Sequence, residues 1–178
     1  MPELPEVETI RRQLEKELRG SKLLSVETSY PGSFRPSFRI VEKNVRGKKI
    51  QSVKRQAKLL ILGLESGGYL LFHLKLTGRL LVRATGQKAD DYTRSIFKLQ
   101  NARGKLTELR FADARKFGFV KLIRSKKEMD SLLKGFGPEP LKDLTPGKFS
   151  EILKKSGQAV KVVLMDQTKV SGIGNIYD

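Results

Sequence analysis

A chain of 178 residues is long enough for one large domain, or one domain and the start of another, built on a real core. It carries 36 Lys+Arg against 19 Asp+Glu, a formal charge of +17 and a pI near 10.2. The excess runs along the whole chain instead of collecting in a tail, so a folded surface for a polyanion is expected. The absence of cysteine and the single histidine, His73, exclude a disulfide framework and a thiolate metal site. No stretch is apolar enough to span a bilayer and the charged N-terminus is unlike a signal peptide, so a cytoplasmic location and no membrane partner are expected.

In chain order, Val7, Ile10, Leu14 and Leu18 line one face of a helix. Pro5 suits its first position, Glu6 and Glu8 suit the positive end of its dipole, and Gly20 stops it. Strands are predicted at 22–28, at 44–55 with a bend at Gly47, at 57–64, twice within 69–82 around a hairpin at Thr77-Gly78, at 96–100 and 106–111 around a second hairpin, and at 118–123. Residues 30–38, with Pro31, Gly32 and Pro36, read as a loop. Short strands joined by turns predict a two-sheet β-sandwich or barrel. From Lys126 the pattern becomes helical: Glu128, Met129, Leu132 and Leu133 form one helix, Thr145-Pro146 open a second, and 158–166 read as a third, apolar on most sides and therefore buried. The expected class is mainly β with helices (α+β), with residues 1–125 as the sandwich domain led by its helix and 126–178 as the incomplete start of a helical domain.

The chemistry sits at the N-terminus. If Met1 is removed, as a small second residue permits, Pro2 becomes a secondary amine with the carboxylate of Glu3 beside it. Attack by such an amine on a carbonyl-type carbon gives an iminium, cationic without protonation, which promotes elimination at the next carbon. Glu3 would protonate the leaving atom if burial raises its pKa. The same residues also read as a plain helix start.

The stretch Pro2-Glu-Leu-Pro-Glu-Val-Glu-Thr, followed by Ile-Arg-Arg, resembles the opening of formamidopyrimidine-DNA glycosylases, bacterial base-excision enzymes that remove oxidised purines and nick the abasic site. Four later stretches extend the resemblance. Arg55-Gln-Ala-Lys58 matches a segment whose lysine lies in the family's active site. His73-Leu-Lys-Leu76-Thr-Gly resembles a motif whose Met fills the gap left by the extruded base; Leu76 takes that place, and Lys75 stands where the family has Gly. Asp113-Ala-Arg115-Lys-Phe117-Gly is similar to Asp-Pro-Arg-[Arg/Lys]-Phe-Gly, so Arg115 would pair with the orphaned base and Phe117 would stack beside it. Gln167-Thr-Lys169 through Gly172-Ile-Gly174-Asn175 looks like a helix-two-turns-helix element, with Lys169, the N–H groups at Gly172 and Gly174, and the Asn175 amide turned to phosphate.

The resemblance implies a bifunctional glycosylase and abasic-site lyase acting on damaged double-stranded DNA as a monomer, in the bacterial cytoplasm with the nucleoid. It implies Pro2, Glu3 and Lys58 as catalytic residues. The family's zinc finger, held by four cysteines, would lie beyond Asp178, which leaves no metal or cofactor in this chain and suggests a truncated form. An endonuclease VIII-like enzyme for oxidised pyrimidines and a non-catalytic nucleic-acid-binding module are the alternatives.

Overall fold

A computed structural model describes residues 1–178. Helix α1 (Leu4–Leu18) is followed by β1 (Lys22–Thr28), a 3-10 turn (Pro31–Ser33), β2 (Phe34–Arg35), α2 (Phe38–Val45), β3 (Ile50–Gln56), β4 (Leu59–Leu64), β5 (Tyr69–His73) and β6 (Arg79–Ala84). Strands β7 (Thr93–Gln100), β8 (Leu106–Ala112) and β9 (Phe119–Ile123) complete the sheets, and α3 (Lys126–Leu133), α4 (Pro146–Lys154) and α5 (Val160–Met165) follow. The strands form a four-stranded sheet in the order β1-β7-β8-β6 and a five-stranded sheet in the order β2-β9-β5-β4-β3. The α+β class with a two-sheet sandwich is therefore as expected.

Between the sheets, Phe72 meets Phe97 and Phe111 edge to face, at ring separations of 5.4 and 6.0 Å. Val7, Leu14 and Leu18 bring α1 into the same core. Edge strand β3 is blunted by that helix, because Glu15 Oε2 accepts the Val53 N–H at 2.7 Å and leaves one less open donor on the edge. Every residue of β4 is buried, which reflects cover on both faces: the sandwich core on one side, and Met129 of α3 with Leu59, Ile61, Leu71 and Ile123 on the other.

Several expected elements differ in the structure. Residues 30–38 are not wholly a loop, and helix α2 follows where a strand is expected from residue 44; Ser37 caps it by accepting the Ile40 N–H, and Val41 and Val45 bury its one apolar face. Strands β5 and β6 are not a hairpin but belong to different sheets, because the 74–78 turn carries the chain across the sandwich. The third late helix is shorter than 158–166 and is not buried: only Val163 packs inward, while Val160, Val162 and Met165 are exposed. The apolar residues of α5 outnumber the neighbours available to cover them. Pro5 also falls one place later than expected, since the helix begins at Leu4.

Candidate active site and nucleic-acid interface

One end of the sandwich gathers most of the predicted residues. Glu3, the residue before α1, is completely buried. Its backbone N–H donates to Glu6 Oε2 at 2.9 Å, and its carboxylate accepts the N–H groups of Gly174 at 2.6 Å and Ile176 at 2.9 Å. Leu4 N–H donates to the Gly172 carbonyl at 3.0 Å. These bonds fasten the N-terminus to the 172–176 turn and hold Pro2, half-buried, at the mouth of the site. The same bonds correct one expectation: the Gly174 N–H is committed to Glu3, and the Gly172 N–H donates to Gln167 Oε1 at 2.9 Å, so neither is free for phosphate. No helix begins at 175; the segment continues as turns, and Asn175 is exposed with its amide unengaged.

Lys58 is buried and enters the same place. A Cβ on Gly174 would lie 2.4 Å from Lys58 Nζ and 2.6 Å from Glu3 Oε1, so glycine is what lets the ammonium and carboxylate converge on this backbone. Burial lowers the Lys58 pKa; the Glu3 carboxylate opposes this, and Lys75 adds to it. His73 is held down to about 4 by burial, with Lys75 and Lys58 contributing, so its ring is neutral. Its Nδ1 accepts the Lys75 N–H at 3.1 Å, which leaves the proton on Nε2.

Lys58 is aimed by a clamp that its own sequence neighbourhood does not reveal. The residue before it, Ala57, has φ +51, an unfavourable region for a side chain. Buried Glu139 accepts the Ala57 N–H and grips the Arg55 guanidinium with two bonds of 2.9 and 2.8 Å, while Arg55 Nε reaches Glu8 at 3.1 Å. Burial pushes the Glu8 carboxyl up, but bonds from Arg11, Arg12 and Arg55 outweigh it and hold the group at about 2. A carboxylate between two prolines, Pro138 and Pro140, was the only sequence signal for Glu139.

Leu76, Arg115 and Phe117 stand on two adjacent loops joined by buried Asp113. Asp113 Oδ1 accepts the Thr77 hydroxyl and the Arg115 N–H, and Oδ2 accepts the Gly118 N–H at 2.7 Å. Leu76 and Phe117 are exposed large apolar side chains, 37% and 51% accessible, and the Arg115 guanidinium lies 4.9 Å over the Phe117 ring. Lys75 keeps the turn that a glycine would suit by adopting φ +53. Lys169 is not brought to this group: its ammonium bonds Gln158 at 2.7 Å and Ser156 at 3.3 Å.

The chain is thus a helix-led sandwich with a proline, a buried glutamate and a buried lysine at one end, and an apolar side chain beside an arginine on neighbouring loops. Residues 1–120 match the family described as formamidopyrimidine-DNA glycosylase N-terminal domain, and the chain belongs to that family. It is 36% identical over 180 residues to the formamidopyrimidine-DNA glycosylase of Desulfitobacterium hafniense and 38% over 187 residues to that of Herpetosiphon aurantiacus, covering 99% of this chain in both cases. The chain spans 64% of the length of these curated relatives. Among solved structures it is similar to the Lactococcus lactis Fpg in complex with abasic-site DNA, with a TM-score of 0.90, 36% identity and cover of 98% of this chain and 64% of that one. The complex of the same enzyme with DNA containing Fapy-dG also has a TM-score of 0.90.

No cysteine is present, and no group of three or more His, Cys, Asp or Glu could hold a metal. No helix is long and apolar enough to cross a membrane.

Proposed function

We propose that the protein is a bifunctional DNA glycosylase and abasic-site lyase of base-excision repair, removing 8-oxoguanine and formamidopyrimidines from duplex DNA through an N-terminal proline. The observation that carries this reading is the convergence of Glu3 and Lys58 on Gly174 directly beside Pro2.

With Met1 in place the Pro2 nitrogen is an amide and cannot attack. With Met1 removed, its lone pair forms a bond to the sugar C1′ while the bond from C1′ to the base breaks, and the base leaves with a proton. Opening of the sugar ring breaks the C1′–O4′ bond, gives the iminium, and sends a proton to O4′. Loss of a C2′ proton then expels the 3′ phosphate, and a second elimination expels the 5′ phosphate. Glu3, adjacent to Pro2 in the chain, serves as the proton-transfer partner, and Lys58, a buried cation, holds the phosphate or damaged base and assists elimination.

Base extrusion leaves a hole in the stack. Leu76 fits as the wedge that fills it, Arg115 as the planar donor to the orphaned base and Phe117 as the ring stacked beside it. Asn175 is a phosphate contact next to Glu3's anchor. Lys169 serves phosphate only if it leaves Gln158 and Ser156. In this reading residues 1–125 form the catalytic unit, 126–178 begin a helical DNA-binding unit, and the enzyme works as a monomer in the bacterial cytoplasm, with the nucleoid.

Borohydride reduces the iminium to a stable amine, so the protein should become covalently joined to abasic-site DNA, with the link at Pro2 in a peptide that lacks Met1. Glu3→Gln should fold and lose base release. Equal trapping by a variant with one extra residue before Pro2 would remove Pro2 from the role.

A further inference from the structure

The end of the sandwich opposite Pro2 carries its own concentration of positive charge. Residues 47–49, between α2 and β3, run beside the start of β1: Leu23 N–H donates to the Lys48 carbonyl at 2.9 Å, and Gly47 N–H donates to the Leu23 carbonyl at 2.6 Å. An antiparallel bridge sets Lys22 directly against Lys49. On the other side of β1, Lys22 pairs with Gln100, the last residue before the hairpin that carries Arg103 and Lys105. Lys22, Lys48, Lys49, Arg103 and Lys105 form no ion pair, whereas nearby Arg19 and Arg46 are each matched by a glutamate one helical turn earlier.

Like charges directly opposite each other on neighbouring strands are destabilising, so the Lys22–Lys49 pair weakens the bare fold unless an anion lies across it. Distance separates this pole from the site already described. Strand β3 begins at the pole with Ile50 and ends at Gln56, two residues before Lys58, which at about 3.3 Å per residue is roughly 20 Å. The pole and the Pro2 site therefore lie at opposite ends of β3.

We propose that this pole is a second surface for nucleic-acid phosphate, taking the backbone of a second DNA duplex while the first lies at the Pro2 end. It rests on the reading of the Pro2 end as the first duplex site. No exposed aromatic ring stands at the pole, and its one large exposed apolar side chain, Leu106, lies at the root of the hairpin beside Lys105, so the contact is carried by the cations, goes to phosphate and ignores sequence. Its use would be transfer between DNA segments: the protein holds a new duplex before releasing the old one.

Sedimentation of the 178-residue protein with short undamaged duplexes in two colours reads the proposal. At low salt one protein should carry two duplexes, and a Lys22→Gln/Lys49→Gln/Lys105→Gln variant should carry one. The variant should trap on abasic DNA as the parent does. In a Lys105→Gln single variant, which keeps the second binding step, the salt slope of that step should fall by about one unit. Neutralising the opposed lysines should also raise the melting temperature at low salt, which separates lost binding from lost folding.

A single duplex on the parent protein, a complex of two proteins with two duplexes, or a variant that still carries two would each overturn the proposal. So would displacement of the second duplex by poly-glutamate at matched charge, since that would make the pole an acidic-protein site. Stoichiometry is read on undamaged DNA, so failure of trapping would sink the proposed chemistry alone.

Discussion

Gly174→Ala is the smallest change that tests whether the site is assembled for chemistry. Gly174 does not have a positive φ, so alanine fits its backbone and the perturbation is one of space. The new Cβ would sit 2.4 Å from Lys58 Nζ, 2.6 Å from Glu3 Oε1 and 2.8 Å from Glu3 Cδ. Lys58 can yield by rotating its flexible stem. Glu3 cannot yield without stretching the bonds from Gly174 at 2.6 Å or Ile176 at 2.9 Å. A hydrogen bond to a charged acceptor contributes about 1.5–3 kcal/mol, so loss of one should lower unfolding stability by about 2 kcal/mol. A displacement of about 1 Å at a reacting group slows chemistry on the order of 100-fold. Urea unfolding measures the first quantity, and single-turnover borohydride trapping on abasic-site duplex measures the second. If the variant loses stability but traps at the parent rate, the convergence on Gly174 holds the terminus and has no part in catalysis.

Lys75→Gly should raise stability by up to about 1 kcal/mol in urea, because it removes a side chain from φ +53; a loss would mean that the lysine itself holds the turn. Asp113→Asn keeps the shape of the side chain but replaces one of the two acceptor oxygens that clip the Leu76 and Arg115 loops together. Fluorescence anisotropy should show reduced preference for lesion-containing over undamaged duplex, and an unchanged ratio would sever the clip from recognition. His73 is held near 4 against an ordinary 6.5, so the unfolded chain binds the proton more readily between those values. Its contribution to stability is intact above pH 6.5 and is lost as pH falls toward 4, by up to about 3 kcal/mol, and His73→Gln should flatten that part of the pH profile.

The sequence by itself determined the elements whose signal is local. Apolar residues three and four apart made α1 legible, Thr145-Pro146 marked the start of α4, and alternating runs around Asn101-Ala-Arg-Gly gave the β7–β8 pair. Pro2, Glu3 and Lys58 were legible as candidates because a terminal amine beside a carboxylate is a chemical statement written in adjacent residues, and the motif carried the lysine. Tertiary structure decided what depends on partners distant in sequence. Sheet membership of β5 and β6 turns on where the 74–78 turn sends the chain, which periodicity does not encode. The Gly174 N–H looked open to phosphate until folding brought Glu3 from 171 residues away to accept it. Glu139 acts 82 residues from Ala57, and the charge on a lone carboxylate says nothing about which buried N–H it will meet. The exposure of α5 was hidden for the same physical reason: an apolar helix is buried only if the fold supplies a surface to cover it, and that surface is a property of the packed molecule.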